Sequence, residues 1–180
     1  QAWHDSLTID EQEVVKWAGM PPRNAHFHGH GRMLVCGYQG KIVIPYYDDA
    51  GNVVDMRTRS ISDKDTAGAK RIRYTSPRGN MAERGAIVPY GVQFLKGNRL
   101  VVTEGEFKAA AASVLAGVPT VGLRGVNDWH DNYLQFMRGR LNILAFDNDA
   151  PKLGRMTAGQ IATIELGRKL TAHGIDVMVL

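Results

Sequence analysis

A single cysteine, Cys36, stands among 180 residues, which excludes an internal disulfide and a cysteine-rich zinc knuckle. No apolar run approaches the roughly 18–20 residues a membrane span requires, so no membrane partner is expected. The opening Gln1-Ala2-Trp3-His4-Asp5 lacks the apolar core of a signal peptide, and a cytoplasmic protein is expected. No Gly-x-x-x-x-Gly-Lys-Ser/Thr loop is present, which excludes an NTPase motor in this segment. There is no internal repeat, no low-complexity tract and no evident Ser/His/Asp arrangement. The chain starts without Met and closes on Val177-Met178-Val179-Leu180, as expected of a piece cut from a longer protein.

What is present is an ordinary globular composition, 44% hydrophobic and 22% charged. The net charge is +4 and the isoelectric point about 9.3, a mild basicity that says little until it is mapped. Between Arg57 and Arg84 stand eight basic residues against three acidic ones, so that stretch carries +5 and the remainder −1. The positive charge is local, and a locally basic segment points to a polyanionic partner.

The rhythm of the chain changes near Gly97, which divides it into residues 1–96 and 97–180. Before that point short strands and turns dominate, after a helix-like stretch from Thr8 to Ala18. Lys41 to Tyr47 reads as a strand, Asp48-Asp49-Ala50-Gly51-Asn52 as a turn, and Val53 to Arg59 as the returning antiparallel strand. Lys70 to Thr75 offers a third. After Gly97 strands alternate with helices. The strands are Arg99–Thr103, Thr120–Leu123, Leu141–Phe146 and Ile175–Leu180. Helices are expected over Glu106–Ala116, within His130–Arg138, and over Thr157–His173. That alternation predicts an α/β class with a parallel sheet flanked by helices, preceded by a small mixed α+β basic subdomain.

Two acidic motifs follow apolar strands directly: Thr103-Glu104-Gly105-Glu106 and Asp147-Asn148-Asp149. Ligands of open parallel sheets bind beyond the carboxyl ends of strands, where strand order reverses. If the four strands lie in the order 2-1-3-4, Glu104 meets Asp147 and Asp149 at that crevice. Three carboxylates so gathered repel one another without a cation. Hard oxygen donors with open positions suit magnesium, or manganese, carrying substrate phosphates. Gly105 permits a tight strand-to-helix turn there.

The segments Val101-Val102-Thr103-Glu104-Gly105-Glu106-Phe107-Lys108-Ala109, Gly117 to Val126 and Leu144 to Asp149 together resemble a TOPRIM domain, of the kind found in phage and plasmid primases and primase-helicases. The resemblance runs from about Arg99 to Leu180. It implies that Glu104 acts as general acid or base and metal neighbour, and that Asp147 and Asp149 bind the metal. One departure stands out: the family is aromatic and then acidic after the glycine, whereas this chain reads Glu106-Phe107-Lys108, with Lys108 a candidate phosphate contact.

Upstream, Ile42-Val43-Ile44-Pro45, Gly51 to Val54 and Arg57-Thr58-Arg59 resemble, more loosely, the basic subdomain that precedes the TOPRIM domain in primases. Arg57, Arg59, Lys70, Arg71 and Arg73 are the candidates to neutralise template or nucleotide phosphates, and Tyr74 to stack on a base. The resemblance implies a primase core that copies a single-stranded DNA template from nucleoside triphosphates, with a replicative helicase as a further partner. A TOPRIM nuclease and a non-catalytic nucleic-acid-binding module remain as alternatives. His26-Phe27-His28-Gly29-His30 with Cys36 has too little paired spacing for a zinc site and reads as a Gly- and His-rich loop.

Overall fold

A computed structural model describes residues 27–28, 35–38, 41–60, 74–75, 87–147 and 155–180. The chain divides into two compact units, Gln1–Ala86 and Ile87–Leu180. The helix expected over Thr8 to Ala18 lies outside the described residues, as do His26, Gly29, His30, Lys70, Arg71, Arg73 and Asp149.

In the first unit, β1 (Phe27–His28), β2 (Val35–Tyr38), β3 (Lys41–Tyr47), β4 (Val53–Ser60) and β5 (Tyr74–Thr75) form one antiparallel sheet in sequence order. The β3–β4 hairpin is its longest pairing, running from Lys41↔Ser60 to Tyr47↔Val53 with a register shift between Tyr46 and Tyr47. Its turn is set by Asp48, whose Oδ1 accepts the Asn52 amide at 2.8 Å and whose Oδ2 accepts the Asn52 side chain at 3.0 Å. An aspartate that caps its own turn in this way fixes hairpin register. Ile44, Tyr46, Tyr47 and Met56 are buried.

The second unit is the expected α/β layer. Strands β6 (Arg99–Glu104), β7 (Thr120–Leu123), β8 (Leu141–Ala145) and β9 (Val177–Val179) form a wholly parallel sheet ordered β7-β6-β8-β9. Helices α1 (Glu106–Leu115), α2 (Leu134–Met137) and α3 (Ala158–Ala172) supply the crossovers. The order is the 2-1-3-4 arrangement anticipated from the sequence. β8 ends one residue earlier than anticipated, β9 is half the anticipated length, and the helix expected within 130–138 is a 3-10 turn, Asp131–Tyr133, followed by the single turn of α2.

Leu100 and Val102 of β6, Val121 and Leu123 of β7, and Leu144 of β8 pack with Tyr133, Leu134, Met137, Leu166 and Leu170 as one core. This places α2 and α3 on one face. Gly122, on the alternate face, lies against Ala109 of α1. Asn142 is wholly buried in β8, and its amide nitrogen donates to the carbonyls of Met137 at 2.9 Å and Arg140 at 2.8 Å, tying the end of α2 to the strand. α3 begins with a capping box: Gln160 N–H donates to Thr157 Oγ1 at 3.2 Å, and Thr157 N–H donates to Gln160 Oε1 at 2.9 Å.

Ahead of the sheet, Tyr90 bridges to the middle of β7. Its N–H donates to the Gly122 carbonyl at 3.1 Å and its carbonyl accepts from Gly122 N–H at 2.9 Å. The side chain is 1% exposed. Burial first, and then the nearby Glu106 carboxylate, push its phenol well above the ordinary tyrosine range. The folded state therefore holds this proton more tightly than the unfolded chain. Stability is intact below the unfolded value of about 10 and falls as pH rises beyond it, by up to about 1.4 kcal/mol per pH unit from this one group. Tyr90→Phe is expected to flatten that loss between about pH 10 and 11, measured as the difference in urea midpoints from the parent chain. Equal alkaline slopes in the two proteins would show that Tyr90 ionises without unfolding.

Candidate functional site at the carboxyl edge of the parallel sheet

Glu104 is the last residue of β6, and the two-residue period of the strand carries its side chain to the face of Leu100 and Val102. One residue earlier, Thr103 Oγ1 donates to the Ala145 carbonyl at 2.9 Å, pinning β6 to the end of β8. The register pairs Thr103 with Ala145, so Asp147 follows two residues beyond that pair, just past the end of the strand that neighbours β6. Between β6 and α1 the chain turns through Gly105 at φ 83°, and Gly105 N–H donates to the Leu123 carbonyl at 2.7 Å. A side chain at Gly122 would stand 2.5 Å from the Gly105 carbonyl oxygen. The turn therefore packs backbone on backbone, which only a glycine at position 122 accommodates.

The turn also aims the first residues of α1. Glu106 is buried, whereas Lys108 is half-exposed and its Nζ pairs directly with Asp147 Oδ1, itself half-exposed. An ammonium group thus already balances the Asp147 carboxylate at the sheet edge. Carboxylate oxygens are the donors that magnesium takes, and Glu104 and Asp147 supply them at the ends of neighbouring strands, where a metal would compete with Lys108 for Asp147. Among the described residues, no three His, Cys, Asp or Glu side chains gather as a metal set; Asp149, the third expected carboxylate, lies outside them.

One contributor to this edge has no sequence signature. Gly159, in the first turn of α3, is buried, and a Cβ there would overlap the Asp147 carbonyl oxygen. A glycine within a helix normally reads as a weak point. Here it lets the start of α3 close against the backbone of Asp147.

The segment after β7 is organised by its own carboxylates. Asp128 Oδ2 accepts the Arg124 amide at 3.1 Å and the Tyr133 hydroxyl at 3.4 Å, while Oδ1 faces His130 Nε2 at 3.4 Å. Asp131 Oδ1 accepts from Trp129 Nε1 at 3.0 Å and pairs with Lys169 Nζ at 3.1 Å. The Lys169 hydrogen bond, then that of Trp129, hold the Asp131 carboxyl below its usual range. Both aspartates have local structural partners at this loop.

In the antiparallel sheet, Arg57 and Arg59 share one face of β4 by strand alternation, and Tyr74 on β5 is directly paired with Arg59. The Arg57 guanidinium lies 4.6 Å and that of Arg59 5.6 Å from the centre of the Tyr74 ring. The ring expected to stack on a base is thus already in contact with two cations, a pairing that both orders the arginines and keeps them together.

The chain matches no protein-family model and no curated protein sequence. Its fold is shared with solved primase structures. It is similar to a chain in the bacteriophage T7 lagging-strand DNA polymerase assembly with primase domains bound to an RNA/DNA hybrid and dTTP, at 20% identity and TM-score 0.54, covering 87% of this chain and 80% of that one. It is similar to the RNA polymerase domain of the Mycobacterium tuberculosis primase, at 21% identity and TM-score 0.58, covering 99% and 57%. A primase catalytic domain bound to single-stranded DNA matches at 19% identity and TM-score 0.55, covering 96% and 54%. The chain thus spans little more than half the length of the latter two.

The contact at Gly159 sets two known effects against each other. Helix propensity alone gives Gly159→Ala a gain of about 1 kcal/mol. Forcing a methyl group into the Asp147 backbone costs about 1–3 kcal/mol, because backbone yields less readily than a side-chain tip. A net loss of stability is expected in urea unfolding, with a displaced Asp147 amide resonance. A stabilised variant with an unmoved resonance would show that α3 does not press on Asp147.

Proposed function

We propose that this chain is the catalytic core of a DNA primase, with a TOPRIM domain in residues 97–180 and a basic template-binding subdomain in residues 1–96. The observation that carries the reading is the adjacency of Glu104 and Asp147 at the carboxyl ends of neighbouring parallel strands, with Lys108 on the intervening helix turned to Asp147. The fold shared with primase polymerase domains supports it. The RNA/DNA hybrid, dTTP and single-stranded DNA bound in those structures support a single-stranded template and nucleoside triphosphates as partners, and the likeness to the primase fragment of the bacteriophage T7 primase-helicase supports a helicase acting with the primase.

In this reading the 3′ hydroxyl oxygen of the growing primer forms a bond to the α-phosphorus of a nucleoside triphosphate. The bond from that phosphorus to the β-phosphate bridging oxygen breaks, and pyrophosphate leaves. Glu104 takes up the hydroxyl proton or holds the hydroxyl in line. Asp147 and Asp149, with Glu104 beside them, would hold magnesium, which when bound lowers the charge on the phosphates. Lys108 sits where it can transfer its contact from the Asp147 carboxylate to a phosphate oxygen, adding positive charge where negative charge collects in the transition state. Arg57, Arg59, Lys70, Arg71 and Arg73 serve the template backbone, in an ionic-strength-dependent way. Tyr74 acts through Arg57 and Arg59 and holds them as a pair.

The test is synthesis of labelled oligomers on single-stranded DNA with magnesium and nucleoside triphosphates. Glu104→Gln and Asp147→Asn are each expected to lower the rate by about 100-fold or more, while single-strand binding stays within about twofold. Template cleavage without triphosphates, lost in the same variants, would instead make the chain a nuclease. Primer synthesis unchanged in both variants would remove Glu104 and Asp147 from the chemistry.

A further inference from the structure

The edge of the parallel sheet opposite the carboxylates is basic, and the reaction described above makes no use of it. Two tight turns lie side by side there. Lys96-Gly97-Asn98-Arg99 leads into β6, and Arg138-Gly139-Arg140 leads into β8. Register and a hydrogen bond join them: Arg99 pairs with Leu141, and Leu141 N–H donates to the Asn98 carbonyl at 2.8 Å. Each turn pivots on an exposed glycine in the left-handed region, Gly97 at φ 68° and Gly139 at φ 72°, with a cation before and after it. A side chain at either glycine would meet nothing within 4 Å, so the backbone of both turns is open to an approaching group.

Exposed lysine and arginine cover most protein surfaces, and one alone carries nothing. Here four stand together without counter-charge. Lys96, Arg99 and Arg138 are exposed, Arg140 is partly buried, and among the described residues none of the four pairs with a carboxylate. Arg140 has a structural duty, since its Nη1 donates to the Phe136 carbonyl at 3.0 Å and closes α2. Asp176 follows on the far side of β8, where its carbonyl accepts the Asn142 amide at 2.9 Å. Its side chain joins no ion pair among the described residues. Like charges gathered in this way repel one another, and an anion laid across them relieves the repulsion.

The turns also specify the anion. They expose no large apolar side chain, whereas protein interfaces centre on aromatic or aliphatic anchors. Three of the four cations are arginines, whose planar forks match phosphate oxygens. Backbone amides in open turns beside them add the donors that a phosphate takes. The same cation-glycine-cation arrangement on neighbouring turns suits a partner whose charges repeat along a chain. Arg99 and Glu104 are the first and last residues of β6, so about 17 Å of strand separates this edge from the carboxylates.

We propose that the Lys96–Arg99 and Arg138–Arg140 turns form a sequence-independent surface for the backbone of a single-stranded nucleic acid, in addition to the arginines of β4. That this strand is the template rests on the primase reading; that the surface holds a nucleic-acid backbone does not. Oligothymidylate binding to the full chain is to be measured between about 50 and 200 mM salt. The triple variant Lys96→Gln, Arg99→Gln, Arg138→Gln leaves Arg140 to close α2, and its urea midpoint is expected to match the parent's. It should bind about tenfold more weakly at the low-salt end and flatten the slope of log K against log salt by about 2, at about 0.7 for each lost phosphate contact. Arg99→Lys with Arg138→Lys keeps the charge and should keep the slope. The Gly97 and Gly139 amide resonances should move with oligothymidylate and stay still with polyglutamate. A slope unchanged in the triple variant, or glycine resonances that ignore oligothymidylate, would overturn the surface and spare the primase reading. Resonances that answer polyglutamate as readily would make the partner an acidic protein and overturn it as well. A flattened slope together with primer synthesis that survives Glu104→Gln would uphold the surface and sink the primase reading instead.

Discussion

The pairing of β6 with β8 is the constraint on which the rest of the second unit depends. It joins Thr103 to Ala145, 42 residues apart, through five consecutive register pairs from Arg99↔Leu141 onward and a side-chain hydrogen bond at the far end. Because β7 occupies the other side of β6, the chain must leave β6 in one direction and return on the other. Right-handed crossovers then send α1 to one face and α2 and α3 to the opposite face. The opening where the two crossovers diverge is where Glu104 and Asp147 emerge. Moving either strand by one residue would turn Glu104 or the core leucines to the wrong face, so the core contacts of Leu100, Val102 and Leu144 also specify where the carboxylates stand.

Backbone contacts complete the edge. At Gly122 and Gly159 the chain gives up a side chain so that another main-chain segment can approach, the Gly105 turn in one case and the Asp147 segment in the other. Each contact lies next to a candidate site residue rather than in the middle of the core. A glycine in a helix or strand interior costs about 0.5–1 kcal/mol relative to alanine. Burial of side chains such as Leu123 and Leu166, at about 1.5–3 kcal/mol each, readily offsets that cost.

Much of this was legible in the sequence because it rests on runs of residues. Leu100-Val101-Val102 is apolar on both sides, as a buried parallel strand must be, and Glu104-Gly105 follows it at once. The strand order then fixed which acidic motifs are neighbours. Other parts depend on contacts between distant segments and leave no local mark. Gly159 reads as an ordinary flaw in a helix. Trp129 and Lys169 come together only because the segment after β7 packs on the face of the sheet that α3 covers. The sequence offers Tyr74 as a ring to stack on a base, and nothing in Arg71-Ile72-Arg73-Tyr74 reveals that β5 sets it beside Arg57 and Arg59. The apolar run from Ile175 reads as one strand, yet Ile175 is buried against the end of α3, where its N–H donates to the Leu170 carbonyl at 3.1 Å, and β9 begins only at Val177.

The Lys108–Asp147 pair shows how stability and function separate at this edge. Both side chains are about half exposed, and an ion pair in that setting contributes about 0–1 kcal/mol at most. The fold does not rest on it. A weak pair is also one that a competing cation or phosphate can open at little cost, whereas a buried pair would resist exchange by several kcal/mol. On the proposed reading, Lys108 keeps the carboxylates from repelling one another while no nucleotide is present, and is released toward the phosphates when one arrives. The contacts that are hard to break, at Thr103, Gly105 and Asn142, all lie behind the site and hold its backbone. On the same proposed reading, the exposed pair in front of them is left to exchange partners, as binding and releasing a highly charged substrate on every cycle would require.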